Sequence, residues 1–237
     1  MFGRKKEQEP VQREYPLREM IQTLVELSEE QWGGYAFYHE PLERKFTEEQ
    51  KKEYARLASA CGREEAVLLR EKFPGESIRS MAEKSGLKVK LPDMPTGGGH
   101  VIFAQFTEPD EIVIYRDCIK KAEVLIKEEG LNEYLGAFRL QDLLLAHELF
   151  HGVEYQKRET IFTQTERIEL WKKPFSNRSR ILCLSEMAAM AFAKELLCIA
   201  WSPYVMDVLL MYGYEKTAAC ALYEEILEAA GVRERED

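Results

Sequence analysis

Residues 147 to 151 read HELFH, and this short segment restricts the possible folds more than any other part of the chain. On an α-helix, His147 and His151 lie on one face, one turn apart, so both imidazoles can bind one metal ion. Apolar residues precede the motif at Leu140, Leu143, Leu144 and Ala146. This run predicts a buried helix, where uncompensated histidine and glutamate side chains are costly. The pattern therefore favours a metal site.

The spacing is typical of zinc sites in which two histidines bind the ion and the glutamate beside the first one acts as a base. Zinc accepts imidazole nitrogen at about 2.0 to 2.1 Å, and hydrolytic sites use three protein ligands so that the fourth position holds water. We therefore expect one Zn²⁺ per chain, with His147 and His151 as ligands and Glu148 as the catalytic base. The opposing interpretation is that His147 and Glu148 are exposed helix residues and His151 is a hydrogen-bonded core histidine.

The third ligand must be a carboxylate or an upstream histidine, because no histidine follows His151. Glu186 is the preferred candidate, 35 residues further on (186 − 151), within the otherwise apolar segment LSEMAAMAFAKELL. An unpaired carboxylate is penalised in such a helix, and metal binding or an ion pair with Lys or Arg would remove the penalty. The alternative is Glu154, which would share a helix face with the histidines, but Gly152 is well suited to ending that helix.

The pattern of helices and strands predicts an α+β fold that is mainly helical. Helical segments are expected at residues 17–29, 47–72, 77–86, 117–129, 137–152, 179–199 and 204–229. Strands are expected at residues 87–91, 101–106 and 111–115, the last two forming an antiparallel hairpin around TEPD. We expect a small antiparallel or mixed sheet packed on the metal-binding helix. Residues 1–75 are predicted to form a helical appendage and residues 76–237 the main domain, with one continuous domain as the alternative.

Composition argues against several other classes of protein. A formal net charge of −9 disfavours nucleic-acid and anionic membrane partners. The apolar run from Ile181 to Trp201 contains three charged residues, so we expect a buried helix and no membrane span. A helix-turn-helix beginning at Ser77 is disfavoured, because LKVKLPDMP supplies a strand and two prolines where a recognition helix would begin. Five cysteines without a CxxC pair and no apolar stretch after the charged N-terminus favour a reducing cytoplasm.

Three segments resemble the ImmA/IrrE-like metallopeptidases, which are gluzincin-type HEXXH zinc enzymes. SIRSMAEKSGLKV is similar to the helix and first strand of that family, HELFH matches its metal helix, and EMAAMAFAKELL is similar to its glutamate helix, E-x-x-A-N-x-F-A. The likeness covers about Ser77 to Leu197. Phe150 stands where a small residue is usual, Met190 where Asn is usual, and the stretch between residues 152 and 184 is longer than in the family.

The resemblance implies a zincin-like metallopeptidase with Glu186 as the third zinc ligand and a protein substrate, often a transcriptional repressor, cut inside the cell. In this mechanism Glu148 takes a proton from the attacking water and delivers it to the leaving nitrogen. Four tyrosines are candidates for stabilising the oxyanion: Tyr155, Tyr204, Tyr212 and Tyr214. An extended peptide could add to the edge of the sheet at Gly99, His100 and Val101.

Two further hypotheses belong to other classes of protein. The chain could be a zinc-binding regulatory or interaction module with a zincin fold and no hydrolytic activity, or a metal-free helical scaffold. Glu148 discriminates between the first of these and an enzyme, because a hydrolytic site needs the base. Metal content discriminates between the second and both others.

Overall fold

The computed structural model describes residues 13–93, 102–171 and 177–233. The helices are α1 (Leu17–Val25), α2 (Glu29–Tyr38), α3 (Glu48–Lys72), α4 (Ile78–Lys84), α5 (Arg116–Glu128), α6 (Asn132–Leu135), α7 (Leu140–Gln156), α8 (Phe162–Thr165), α9 (Cys183–Leu197), α10 (Val205–Tyr212) and α11 (Lys216–Ala229). The strands are β1 (Lys88–Lys90), β2 (Ala104–Thr107), β3 (Glu111–Ile114), β4 (Ile168–Trp171) and β5 (Asn177–Ser179). The predicted α+β fold, mainly helical with a small sheet, is confirmed.

The main sheet is mixed and has the order β1-β3-β2. Strand β1 runs parallel to β3, and β2 pairs with β3 in antiparallel register, with Phe106 opposite Ile112. The predicted hairpin around TEPD is therefore confirmed, and β2 forms one edge of the sheet. Ile112 and Ile114 on β3 are fully buried, so the alternation of this strand fixes which face meets the helices. The β4–β5 pair was not predicted from the sequence.

Helix α7 contacts β2 and β3 on one side and α9 and α4 on others. It runs to Gln156, four residues beyond the predicted end, so the expectation that Gly152 ends the helix was wrong. Gly152 serves close packing instead, because a Cβ atom there would lie 2.5 Å from Cδ1 of Leu87. The absence of a side chain lets the segment between α4 and β1 approach the helix closely.

Helix α3 packs along α9, and small residues line its buried face. At Gly62 a Cβ atom would overlap the carbonyl oxygen of Ala188 on α9. Only glycine permits this approach of the two backbones. Buried residues of α1, α2 and α3 belong to the same hydrophobic cluster as those of α7 and α9. A domain boundary near residue 75 stays a prediction.

Besides the short helices α6 and α8, which were not predicted, two longer helical segments differ from the prediction. Helix α2 was not predicted because Gly33 and Gly34 lie in its middle, each costing about 1 kcal/mol relative to Ala. A capping box between Ser28 and Gln31 and the burial of its aromatic residues outweigh that cost. The long helix predicted for residues 204–229 is divided into two helices, α10 and α11, which residues 213–215 separate.

The apolar segment from Ile181 to Trp201 contains α9, whose apolar residues are mostly buried against other helices. Within the described ranges, no helix has both the length and the apolar character needed to cross a membrane. All five cysteines are free thiols.

Candidate metal centre

Helix α7 presents His147 and His151 on one face, as four-residue spacing requires. Their Nε2 atoms lie 3.2 Å apart, and the two rings meet nearly edge to face. Both side chains are largely covered, with 16% and 15% of their surface exposed. Because one regular helix carries both residues, their relative position is set locally.

The first turn of α9 brings Glu186 to the same point. Its Oε2 atom lies 3.3 Å from Nε2 of His147, and its Oε1 atom lies 3.5 Å from Nε2 of His151. Among the described residues, these three form the one group of potential metal ligands whose donor atoms all lie within 4.8 Å of one another. The structure therefore brings together the three potential metal ligands that the sequence predicted, called the triad below.

The spacing of the three donor groups matches a four-coordinate cation. With bonds of about 2.0 to 2.1 Å and tetrahedral angles, neighbouring ligand atoms around zinc lie about 3.3 Å apart. The three observed separations, 3.2, 3.3 and 3.5 Å, are close to that value. Two imidazole nitrogens and a carboxylate whose two oxygens each lie near one of them thus approximate one face of a tetrahedron, which leaves the fourth vertex for a non-protein ligand.

The side chain of Glu186 is more exposed than the sequence predicted. Its side chain is 53% exposed, so the premise that this carboxylate is buried among apolar residues was wrong. Eight residues of α9 are buried, but Glu186 is not, and it lines both cavities of an open cleft. Exposure on this side is what gives a fourth ligand access to the triad.

Glu148 follows the first histidine and is 7% exposed. Its side chain lines the two cavities that flank the triad. In the described part of the chain, its carboxylate accepts no hydrogen bond and joins no salt bridge with a cationic residue. It is therefore available to exchange a proton with a molecule held at the open vertex.

Glu154, the alternative third ligand, lies near the Nδ1 atom of His151 and not near the triad. It lies on the last turn of α7, and its Oε2 atom is 3.7 Å from Nδ1 of His151, on the side of the ring opposite the triad. Ser185 bridges the two, lying 3.3 Å from Nδ1 and donating to Oε2 over 2.8 Å. Thr163 donates to the other carboxylate oxygen over 2.5 Å. Such partners fix the orientation of a metal-binding imidazole.

The charges of the triad shift one another's ionisation in the metal-free site. Burial lowers the pKa of His147, but the hydrogen bond and the charge of Glu186 outweigh burial and raise this pKa to about 9. Burial raises the pKa of Glu186, and the hydrogen bond and charge of His147 reverse this and lower it to about 2. Without metal, the two therefore form an ion pair near neutral pH.

Asp207 on α10 is a residue of the site that the sequence analysis missed. It lines the same cavity as His147 and Glu186, and burial raises its pKa to about 7, with a further increase from the charge of Glu186. At Glu154 burial also raises the pKa, but hydrogen bonds, of which that of His151 is the largest, outweigh burial and lower the pKa. No spacing rule links residue 207 to a motif sixty residues earlier, so only the fold reveals it.

The four tyrosines proposed as oxyanion donors fall into two groups. Tyr204 and Tyr155 line the cavities beside the triad. The hydroxyl of Tyr204 is buried and has no hydrogen-bond partner among the described residues. Tyr212 lies under the ammonium of Lys216, and Tyr214 donates to Asp117, so these two contribute to packing away from the cleft.

The cleft contains two cavities that meet at the triad. One, of about 550 Å³, has mainly apolar walls, and the other, of about 740 Å³, is mainly polar and includes Arg158 and Arg180. Four residues line both cavities: Ala104, His147, Glu148 and Glu186. The predicted substrate contacts at Gly99, His100 and Val101 lie outside the described residues.

Two of the three departures from the family pattern, Phe150 and Met190, are accommodated in the packing around the triad. Phe150 is fully buried, lies beside the ring of His151 and packs against Phe192 of α9. Met190 lines the apolar cavity.

Comparisons of the chain with family models, curated proteins and solved structures gave no match.

Proposed function

We propose that this chain is a zinc-dependent peptidase that hydrolyses peptide bonds of a protein substrate. The observation that carries the proposal is the spacing of the donor groups on His147, His151 and Glu186. Their separations match the edge length of a tetrahedron of zinc ligands. The sheet on one side of α7 and the glutamate helix on the other support a zincin arrangement. Two imidazoles and one carboxylate, with one position open, are the ligands of many zinc hydrolases.

His147, His151 and Glu186 would hold the zinc ion, which would supply Lewis acidity: it would lower the pKa of a water molecule at the open position to about 7 and polarise a substrate carbonyl group. Glu148 is the base in this proposal, because it adjoins the first ligand and its carboxylate is unoccupied by hydrogen bonds from described residues. It removes the proton of the attacking water and transfers it to the leaving nitrogen. Tyr204 and Tyr155 are the candidates for donating a hydrogen bond to the developing oxyanion.

An extended peptide fits the open edge of the sheet. Among the described residues, strand β2 pairs only with β3, and its residue Ala104 lines both cavities beside the triad. Peptides bind such edges by adding a strand, so that their main chain forms the hydrogen bonds and their side chains alternate between pockets. This arrangement would place a peptide bond near the carboxylate of Glu148.

The test compares the wild-type protein with the Glu148→Gln variant, both loaded with zinc. We expect one zinc per chain in each by elemental analysis, and a decrease of about 10²- to 10⁴-fold in peptide cleavage by the variant. Glu159→Gln is the matched control, because Glu159 is an exposed residue beyond α7 and lines neither cavity. Equal cleavage by wild type and Glu148→Gln would contradict the proposal.

Metal binding without cleavage would favour the alternative of a zinc-binding interaction module. That outcome requires wild type and Glu148→Gln to bind zinc equally while neither cleaves any peptide of a diverse pool. A protein without stoichiometric metal, purified without a His tag, would instead favour the metal-free scaffold.

A further inference from the structure

The apolar cavity beside the triad is not explained by metal binding or by proton transfer. Its volume is about 550 Å³, and its walls come from α2, α7, α9, α10 and the start of β2. Six of the lining residues that give it an apolar character are Tyr35, Ala36, Phe103, Leu143, Met206 and Leu210. Ligand pockets typically enclose about 300 to 1,000 Å³, so the space is sufficient for the largest aromatic side chain.

The mouth of this cavity exposes apolar surface. Ile102 is 40% exposed and Leu182 is 57% exposed, and both line the cavity. Only a few large apolar side chains of the described residues are exposed to this extent, and these two lie together at one opening. Exposed apolar groups around a concave pocket are typical of a surface that binds another molecule.

The position of the cavity limits what its occupant can be. His147, Glu148 and Glu186 form part of its wall, so a group inside lies next to the bond that the triad would act on. Ala104 of the edge strand β2 also lines it, and a peptide added to that edge directs alternate side chains to the same face. One side chain of a bound peptide would therefore enter the apolar cavity beside the reacting bond.

Resting on the proposed peptidase function, we infer that this cavity selects substrates with a bulky apolar side chain next to the scissile bond, and that α2 sets the size it accepts. Tyr35 and Ala36 supply the α2 wall. Ala36 on α2 and Ala104 on β2 have the smallest side chains that line the cavity. A larger side chain at position 36 would therefore reduce the free volume. The N-terminal helices thus belong to the substrate site, although the sequence analysis treated them as an appendage.

The experiment exposes zinc-loaded protein to a synthetic library of decapeptides and sequences the cleavage products by mass spectrometry. Only cuts that disappear with Glu148→Gln are counted. We expect aromatic and large aliphatic residues to be enriched at one fixed position beside the cut. Because one methylene group in a hydrophobic pocket changes kcat/KM by about 10- to 200-fold, Leu should exceed Ala at that position by at least about tenfold.

Two variants test which residues form the pocket. Ala36→Phe fills the cavity from α2 and should reduce cleavage of peptides with large residues at least tenfold, while peptides with Ala at that position are still cut. Leu182→Asp adds a charge at the mouth and should reduce cleavage of the apolar peptides. Val124→Asp is its matched control, because Val124 is 51% exposed on α5 and lies outside the cavity.

The outcomes separate this inference from the proposed function. Glu148-dependent cleavage without enrichment of apolar residues, or an unchanged preference in Ala36→Phe, would overturn the inference and leave the peptidase function standing. If Ala36→Phe does not fold, an unchanged preference in Leu182→Asp has the same meaning. An absence of any Glu148-dependent cut would overturn the peptidase function itself, and the inference with it.

Discussion

Helices α7 and α9 contribute to the triad in different ways. Helix α7 supplies two ligands four residues apart, and the regular helix alone sets the 3.2 Å between their Nε2 atoms. Helix α9 supplies one ligand, and its position depends on the close packing of α9 against α3 at Gly62. One half of the site is thus fixed by local geometry, and the other half by contacts between segments more than a hundred residues apart.

This difference explains why the two halves should respond differently to substitution. A change in the packing around α7 leaves its two histidines in the same relative position as long as the helix persists. A change in the packing around α9 moves Glu186 relative to both of them. The predictions that follow test this contrast.

The largest effect is expected from removing a ligand. His151→Ala and Glu186→Ala should each weaken zinc binding by more than about 100-fold, because even the outer partners of metal ligands contribute about 10- to 100-fold. Competition with a chromophoric chelator measures the affinities. Wild-type affinity in Glu186→Ala would show that α9 supplies no ligand, and Glu154 would then be the residue to replace.

The second prediction compares two glycines. Gly62→Ala should lower the free energy of unfolding by about 2 kcal/mol, because overpacking against the Ala188 backbone costs about 3 kcal/mol and helix propensity restores about 1. Gly152→Ala should change it by less than about 1 kcal/mol, since the Cβ atom meets only the movable end of Leu87. Denaturant unfolding of the metal-free proteins gives both values.

Zinc affinity adds a second readout to the same pair of variants. It should decrease in Gly62→Ala, which displaces α9 and Glu186, and stay near wild type in Gly152→Ala. Equal affinities in the two variants would argue against long-range positioning of Glu186.

A third and smaller effect is expected at the outer partners of His151. Glu154→Gln keeps the shape of the side chain but removes the charge that holds Ser185 and His151. Zinc affinity should decrease about tenfold, at the lower end of the usual range. The double variant with Ser185→Ala should lose little more, because the two residues act on one imidazole. Additive losses would contradict this shared role.

The last prediction is a dependence of zinc affinity on pH, which concerns the wild-type protein and not a substitution. Because Glu186 holds the pKa of His147 near 9 in the metal-free site, zinc must displace a proton from His147 below that pH. Apparent affinity should therefore fall by up to about tenfold for each unit of pH below 9. Calorimetry in buffers of different ionisation enthalpy should detect the released proton, and its absence at pH 7 would contradict the ion pair.

The same shift affects the stability of the metal-free protein. The pKa of His147 is raised above the 6.5 of an unperturbed histidine, so its contribution to the free energy of unfolding is complete below pH 6.5. This contribution is lost as the pH rises through about 9. The Glu186→Gln variant removes the cause and should show a weaker dependence over this range.

The sequence predicted the half of the site that local geometry controls. His147, Glu148 and His151 were predicted from their spacing on a helix. The predicted end of α7 at Gly152 was wrong, because this glycine permits close packing against Leu87 and does not end the helix. Glu186 was also predicted, although the reason given, burial in an apolar helix, does not describe its exposed side chain. The right residue was found because apolar side chains around it on α9, such as Met187 and Ala189, are buried.

The remaining residues of the site could not be found from spacing. Ser185, Asp207 and Tyr35 lie on helices whose relation to α7 depends on the packing of the whole chain. Helix α2 itself was missed, because two central glycines conceal its periodicity and a capping box with buried aromatic residues maintains it. Residues without a repeating pattern become functional candidates only when the fold places them at one cleft.

The triad joins His151 and Glu186, which are 35 residues apart in the chain (186 − 151). A cation held by both residues closes this segment into a loop, as a disulfide would, and reduces the freedom of the unfolded chain. The ion would then act as a removable cross-link, and protease resistance of the segment containing α8, β4 and β5 would report its presence.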